Sequence, residues 1–168
     1  MTVDDASMRI RYFHDASDEF LVRLGVDRAL LPDPADWLEW YRTDFERPIP
    51  ERQSYGVMWM VEADVVGWSN VDHIEFGRQA FMHLHIADEH NRATGHGSRF
   101  VALGLRELFN VLQLDRLYCE PNALNAAPNR TLQRVGFTYE FSHVATPGSI
   151  NFKQVTTRWR IDRAAALG

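Results

Sequence analysis

"ATGHGSRFVALGL", residues 93–105, joins an alternating stretch, "AFMHLHIAD" (80–88), to a long run with helical spacing. Gly95 and Gly97 stand one residue apart in it, and Arg92 precedes them, giving R-x-x-G-x-G. Three readings compete: a phosphate loop, a metal-binding β-turn and a plain connection. Between a strand and a helix, the first N–H groups of the helix lack partners and can hold an anion, helped by the helix dipole. Glycines let the backbone approach such a ligand, and an arginine adds fixed charge. Taken without its context, the same spacing also fits a Gly-rich turn with a surface arginine.

Outward from the loop, "GSRFVALGLRELFNVLQL" (97–114) puts Phe100, Val101, Leu105, Leu108 and Leu112 on one helical face. "DRLYCEP" (115–121) reads as a short strand, so 80–120 forms a βαβ crossover. "APNRTLQRVGF" (127–137) is a helix stopped by Gly136. Upstream, "MRIRYFHD" (8–15) alternates enough for a first strand. "SDEFLVRLGV" (17–26) is a helix with Ser17 as N-cap, and "DPADWLEWYRTDFE" (33–46) is another, opened by Pro34. "SYGVMWMVE" and "VVGWSNVDHIEF" form a hairpin with "QAFMHLHIAD" beside it. "FTYEFSHVAT" and "NFKQVTTRWRID" close the chain as a second hairpin around "PGS". The expected order is β-α-α-β-β-β-α-β-α-β-β. That is an α+β fold with a mixed, mostly antiparallel central sheet and flanking helices, in one domain over 1–168 with a core from about 8 to 162.

The 168 residues carry 45% hydrophobic side chains and a net charge of -5, with no repeat or low-complexity linker. The acidic balance gives no electrostatic footprint for nucleic acid, and no apolar stretch is long enough to span a membrane. Acids near the start, "MTVDDAS", stand where a signal peptide would carry bases, and Cys119 is the single cysteine. A cytoplasmic location is expected.

Other phosphate loops fail on particular residues. Phe100 occupies the position of the third small residue of a dinucleotide fingerprint, and no G-K-[ST] follows the glycines. A cupin-like metal pattern, Gly77, His83, His85 and Glu89, competes, since the two histidines point the same way on a strand. Its spacing to Gly95 is one residue short, and a helix follows where a jelly roll needs strands.

The stretch 81–137 resembles the core of the GNAT N-acetyltransferases, most closely the RimJ/RimL-type branch. "HIADEHNRATGHG" is similar to that family's pyrophosphate loop, and "EPNALNAAPNRTLQRVGF" to its second signature. The resemblance implies acetyl-CoA as cosubstrate, no metal, and direct transfer to a primary amine of a small molecule or a peptide N-terminus. It assigns Ile86, Ala87, Arg92, Ala93, Thr94, Gly95, His96, Gly97, Ser98, Asn125 and Arg130 to the cosubstrate. Backbone of His85, Ile86 and Ala87 would face the pantetheine arm. A non-catalytic acyl-CoA-binding module on the same fold is the further alternative.

Amide formation needs a neutral amine, whereas most amines are protonated at neutral pH. Alternation puts Phe81, His83 and His85 on one strand face and Met82, Leu84 and Ile86 on the other. An imidazole suits the base role, with His83 the first choice and His85 the second. The proton-return position is less regular, because Pro128 and Leu132 occupy the places where the family's Ser or Tyr is expected. Cys119 and Tyr118 are nearby substitutes. Trp37, Trp40, Tyr41 and Glu120 are candidates for the acceptor cleft. The last two strands offer an edge for a homodimer.

Overall fold

The chain is described from a computed structural model over residues 1–86 and 96–168, the side chain of His96 excepted. Three helices come first: α1 (Val3–His14), α2 (Asp18–Leu24) and α3 (Pro34–Glu46). Strands β1 (Tyr55–Val61), β2 (Asp64–Glu75) and β3 (Gln79–Ile86) follow, then α4 (His96–Val111) and β4 (Arg116–Cys119). The chain finishes with α5 (Ala126–Val135), β5 (Thr138–Ala145), β6 (Gln154–Asp162) and α6 (Arg163–Leu167).

The six strands lie in the order β1-β2-β3-β4-β6-β5. Only β3 and β4 run parallel; the other neighbours are antiparallel. This is the expected α+β sheet, with one correction. The stretch 8–15, expected as a strand, is the C-terminal part of α1. Its Arg-Ile-Arg-Tyr alternation is too short to outweigh a helical stripe of Ala6, Ile10 and Phe13, all buried. A capping box fixes the start: the Thr2 side chain accepts from the Asp5 N–H, and Asp5 accepts from the Thr2 N–H at 2.6 Å. Regular structure also runs beyond the expected 8–162 core at both ends. Helix α6 is held by the Arg163 guanidinium, which donates to the carbonyls of Phe109 and Leu114.

Each sheet face covers its own apolar core. On one side Met82, Leu105, Leu108, Leu112, Leu117 and Leu132 pack together under α4 and α5. On the other, Ala6, Ile10, Phe13, Leu21, Trp37 and Tyr41 join α1, α2 and α3. The prolines and caps read in sequence behave as expected: Asp33 caps α3 with Pro34 at its first turn, and Gly136 ends α5 at φ 99°. No helix among the described residues is long and apolar enough to cross a membrane.

Candidate active site

The parallel pair decides where a ligand can enter. β3 and β4 are paired only from Gln79↔Arg116 to Met82↔Cys119. Beyond that ladder β3 runs on through His83, Leu84 and His85, while β4 ends at Cys119. Open α/β sheets bind ligands at such partings, outside the carboxyl ends of their strands. A cavity of about 830 Å³ lies there, walled by His83, Asp72, Glu120, Asn125, Trp37 and Tyr41, among others.

The alternation along β3 sorts its side chains as expected. Met82, Leu84 and Ile86 join the core beneath α4, and His83 and His85 turn to the opposite face. His83 meets a partner that sequence reading missed: its Nε2 lies 3.0 Å from Asp72 Oδ2, on the neighbouring strand β2. The other oxygen of Asp72 lies 2.9 Å from His73 Nδ1. Burial by itself would raise the Asp72 carboxyl, but the charges and hydrogen bonds of His83 and His73 outweigh it and hold the group at about 2. Asp72 is therefore an anion that accepts from His83 Nε2–H, which leaves Nδ1 as the basic nitrogen. A bulge between Asp72 and Glu75 shapes this end of β2, and His73 sits in it at φ 47°. Bulges are not readable from one sequence, so neither Asp72 nor His73 carried a signal.

His85 has a different environment. Its ring stacks on Trp68 at 5.2 Å and meets Tyr12 and Phe13 edge-on. Nδ1 is shut off from solvent with no hydrogen-bond partner among the described residues. Burial, then the charges of Arg9 and His83, push its pKa well below the usual histidine value. His85 is a neutral ring that resists protonation, whereas His83 has the Asp72 carboxylate beside it.

Glu120 reaches the cavity wall but is already engaged. Its Oε1 accepts from Arg158 Nε at 2.5 Å and lies 3.2 Å from His143 Nε2. The Arg158 guanidinium in turn lies over Phe81, Tyr118 and Phe141. Trp37 and Tyr41 serve both as core and as cavity wall, while Trp40 is exposed at the same wall. Cys119 is buried at the end of β4, and burial together with the Glu120 charge pushes its thiol up. Such a thiol keeps its proton at neutral pH, which weighs against a role in proton return.

The β5–β6 connection, read in sequence only as a turn, forms the remaining wall. Asn151 Nδ2 and Gln154 Nε2 both donate to the Gly25 carbonyl, and Val26 bridges Asn151. Gly25 has φ 75°, and a Cβ there would come within 2.2 Å of the Gln154 amide, so only glycine fits this junction. Gly148 stands over His83, with a Cβ position 3.8 Å from its Cε1.

Of the residues assigned to the cosubstrate, Ala87, Arg92, Ala93, Thr94 and Gly95, with the His96 side chain, lie outside the described residues, as does Glu89. Ile86 ends β3, and Gly97 and Ser98 stand in the first turn of α4. Asn125 precedes α5 without a side-chain capping bond and faces the cavity, and Arg130 is exposed on α5. Asn129 organises this corner. Its amide nitrogen donates to the carbonyls of Asn122 and Asn125, and its oxygen accepts from Trp159 Nε1 at 2.8 Å. The mixed sheet with its βαβ crossover is not a jelly roll, so the cupin reading of His83 and His85 falls with the fold.

The model of the acetyltransferase (GNAT) domain matches residues 4–138. No curated protein matches the chain. Among solved structures, the aminoglycoside acetyltransferase AAC(6')-Ib in complex with coenzyme A is 15% identical. It aligns over 98% of this chain and 93% of that one with a TM-score of 0.70. Spermidine N-acetyltransferase from Vibrio cholerae, in complex with CoA and spermine, is 17% identical. It aligns over 89% and 92% of the two chains with a TM-score of 0.68. A dodecameric structure of the Vibrio cholerae enzyme gives a TM-score of 0.74 at 13% identity, over 100% of this chain and 94% of that one.

Proposed function

We propose, for a chain that belongs to the GNAT acetyltransferase family, acetyl-CoA-dependent transfer of an acetyl group to the primary amine of a small molecule. The observation that carries this reading is the His83–Asp72 pair, 3.0 Å apart, on the cavity wall where β3 runs past the end of β4. Acetyl-CoA, when bound, supplies the acetyl thioester. The parted strands fit such a group, because the β3–β4 ladder ends at Met82↔Cys119 and His83, Leu84 and His85 lie beyond it on the cavity wall. Ile86, Gly97, Ser98 and Asn125 are the described residues that would hold it; Arg92, Ala93, Thr94 and Gly95, assigned to the pyrophosphate by the resemblance, lie outside the described residues.

The chain's own part is proton handling and orientation. His83 Nδ1 takes the proton from the acceptor amine, and the Asp72 carboxylate keeps the ring in the right tautomer and stabilises its charged form. Exposed carboxylates at the cavity wall, Asp36 and Glu51, draw a cationic acceptor towards it. Neither Cys119 nor the positions of Pro128 and Leu132 offers an acidic group. The reading therefore has the leaving thiolate protonated from solvent, consistent with its weak basicity.

Thiol release measured over a panel of amines, including polyamines, aminoglycosides, amino acids and a short peptide, tests this function. Release with at least one acceptor, dependent on both substrates, is expected. Calorimetric binding of acetyl-CoA with no turnover across the panel would instead leave a non-catalytic module. The finer RimJ/RimL-type assignment is supported by the Asn125 and Gly136-Phe137 signature alone, hence the peptide in the panel. For self-association, support comes from β5, an edge strand exposing Tyr139, Phe141 and Val144. Sedimentation velocity separates a dimer from a monomer.

A further inference from the structure

The cavity's walls hold one buried charge that has no counter-charge among the described residues. Arg9, on α1, is 8% exposed and lines the cavity. Its guanidinium lies against the rings of Phe13, Trp37 and Tyr41, at 5.9, 5.9 and 5.7 Å from their centroids. Nη1 donates to the Tyr41 hydroxyl, and Nε is buried with no hydrogen-bond partner among the described residues. Among the described residues no carboxylate lies within ion-pair distance of it. A buried guanidinium usually has an anionic partner, because the ring faces and one phenol do not replace its lost hydration.

The other buried or half-buried charged groups in the same wall are accounted for, and the carboxylates of Asp36 and Glu51 are exposed to solvent. Asp72 is held by His83 and His73, and Glu120 by Arg158 and His143. Arg52 donates to the carbonyls of Phe45 and Arg47. Arg9 stands at the His85 end of the histidine face, since Phe13 touches both His85 and the Arg9 guanidinium. His83 stands two residues along the strand.

We infer that Arg9 is a specificity residue that receives a carboxylate of the acceptor, so that the preferred substrate carries an amine and a carboxylate on one small molecule. The amine reaches His83 while the carboxylate neutralises Arg9. An arginine in a water-poor, aromatic-lined site matches a planar carboxylate through charge-assisted hydrogen bonds. The inference rests on the acetyltransferase reading and narrows its substrate class.

The experiment pairs acceptors that differ only in the carboxylate: 4-aminobutyrate against butylamine, and 5-aminopentanoate against pentylamine. Wild-type kcat/KM is expected to favour the carboxylated member of each pair by about 10- to 100-fold, mostly through KM. Arg9→Met should collapse that ratio towards one, and Arg9→Lys should restore part of it. Calorimetry with acetyl-CoA checks that each variant is folded. A measurement on the unaltered protein stands beside these: butyrate should inhibit competitively against the amine and not against acetyl-CoA. Turnover of both members of each pair without preference, or no inhibition by butyrate, overturns the inference and leaves the acetyltransferase reading standing. If no amine is turned over, that reading fails instead. Calorimetric binding of butyrate to wild type and its loss in Arg9→Met then supports the carboxylate site, and absence of binding overturns it.

Discussion

The two faces of β3 are made from one eight-residue strand, yet they do opposite work. Towards α4, Met82, Leu84 and Ile86 meet Leu105 and Leu108 in a core of apolar atoms. Towards α1 and α3, His83 and His85 meet Asp72, Trp68 and Phe13, with Arg9 beyond. A shift of one residue moves a side chain from the packed face to the one that lines the cavity. The proposed function puts reactivity on the cavity face and stability on the other, and a substitution on either should therefore fail in its own way.

The largest effect is expected on the reactive face. His83→Ala should lower kcat by about 10²- to 10⁴-fold, the range for loss of a general base, with acetyl-CoA affinity little changed. Steady-state kinetics with calorimetry read both quantities. Wild-type turnover in the variant would remove His83 from the base role and reassign that face to packing. On the other face, Leu108→Ala deletes a fully buried side chain and should cost about 2–5 kcal/mol of stability. Its kcat, measured well below the lowered midpoint, should stay near wild type. A large loss of kcat in a fully folded Leu108→Ala would show that the two faces are coupled.

Asp72→Asn comes next. An amide accepts a hydrogen bond but cannot balance an imidazolium, so kcat should fall by about 10- to 100-fold, less than for His83→Ala. The same substitution carries an acid signature. The Asp72 carboxyl is held at about 2 when folded, below the value near 3.9 of an unfolded chain. That depressed value adds stability above pH ~4, which is lost as pH falls towards 2. The variant should lack this loss, and denaturant midpoints between pH 5 and 3 measure it. A loss equal to wild type would mean that Asp72 has no such partner in solution.

Much of this was legible in the sequence, for reasons that separate cleanly. The strand period of 79–88, the helix stripe of 97–113 and the stop at Gly136 are local patterns. The structure describes β3 over Gln79–Ile86, α4 over His96–Val111 and a helix end at Gly136, with 87 and 88 outside the described residues. So did the division of β3 into an apolar and a histidine face. The first helix was misread because four alternating residues looked like a strand when the cap at Thr2 and the spacing Ala6, Ile10, Phe13 argued otherwise. Asp72, His73 and Arg9 were missed because their roles are non-local. Asp72 becomes a partner of His83 only through a cross-strand register ending in a bulge, and Arg9 becomes buried only when α1 packs against α3. The turn at 147–151 likewise gains its role from a contact with Gly25, more than 120 residues away.

The smallest effect distinguishes the two histidines on the reactive face from each other. His85 is held neutral by burial and by the nearby positive charges of Arg9 and His83, whereas an unfolded histidine titrates near 6.5. Below that pH the unfolded chain binds a proton that His85 in the folded chain refuses, so wild type loses stability as pH falls. The slope approaches about 1.4 kcal/mol per pH unit for one proton. His85→Phe keeps an aromatic ring against Trp68 and removes the unpartnered Nδ1. Its denaturation midpoints should decline less between pH 7 and 5, and the gap from wild type should widen as the pH drops. Parallel curves would mean that His85 is protonated as readily folded as unfolded. It would then stand beside His83 as a second candidate proton acceptor, and the cavity face would offer two bases where the proposed function assigns one.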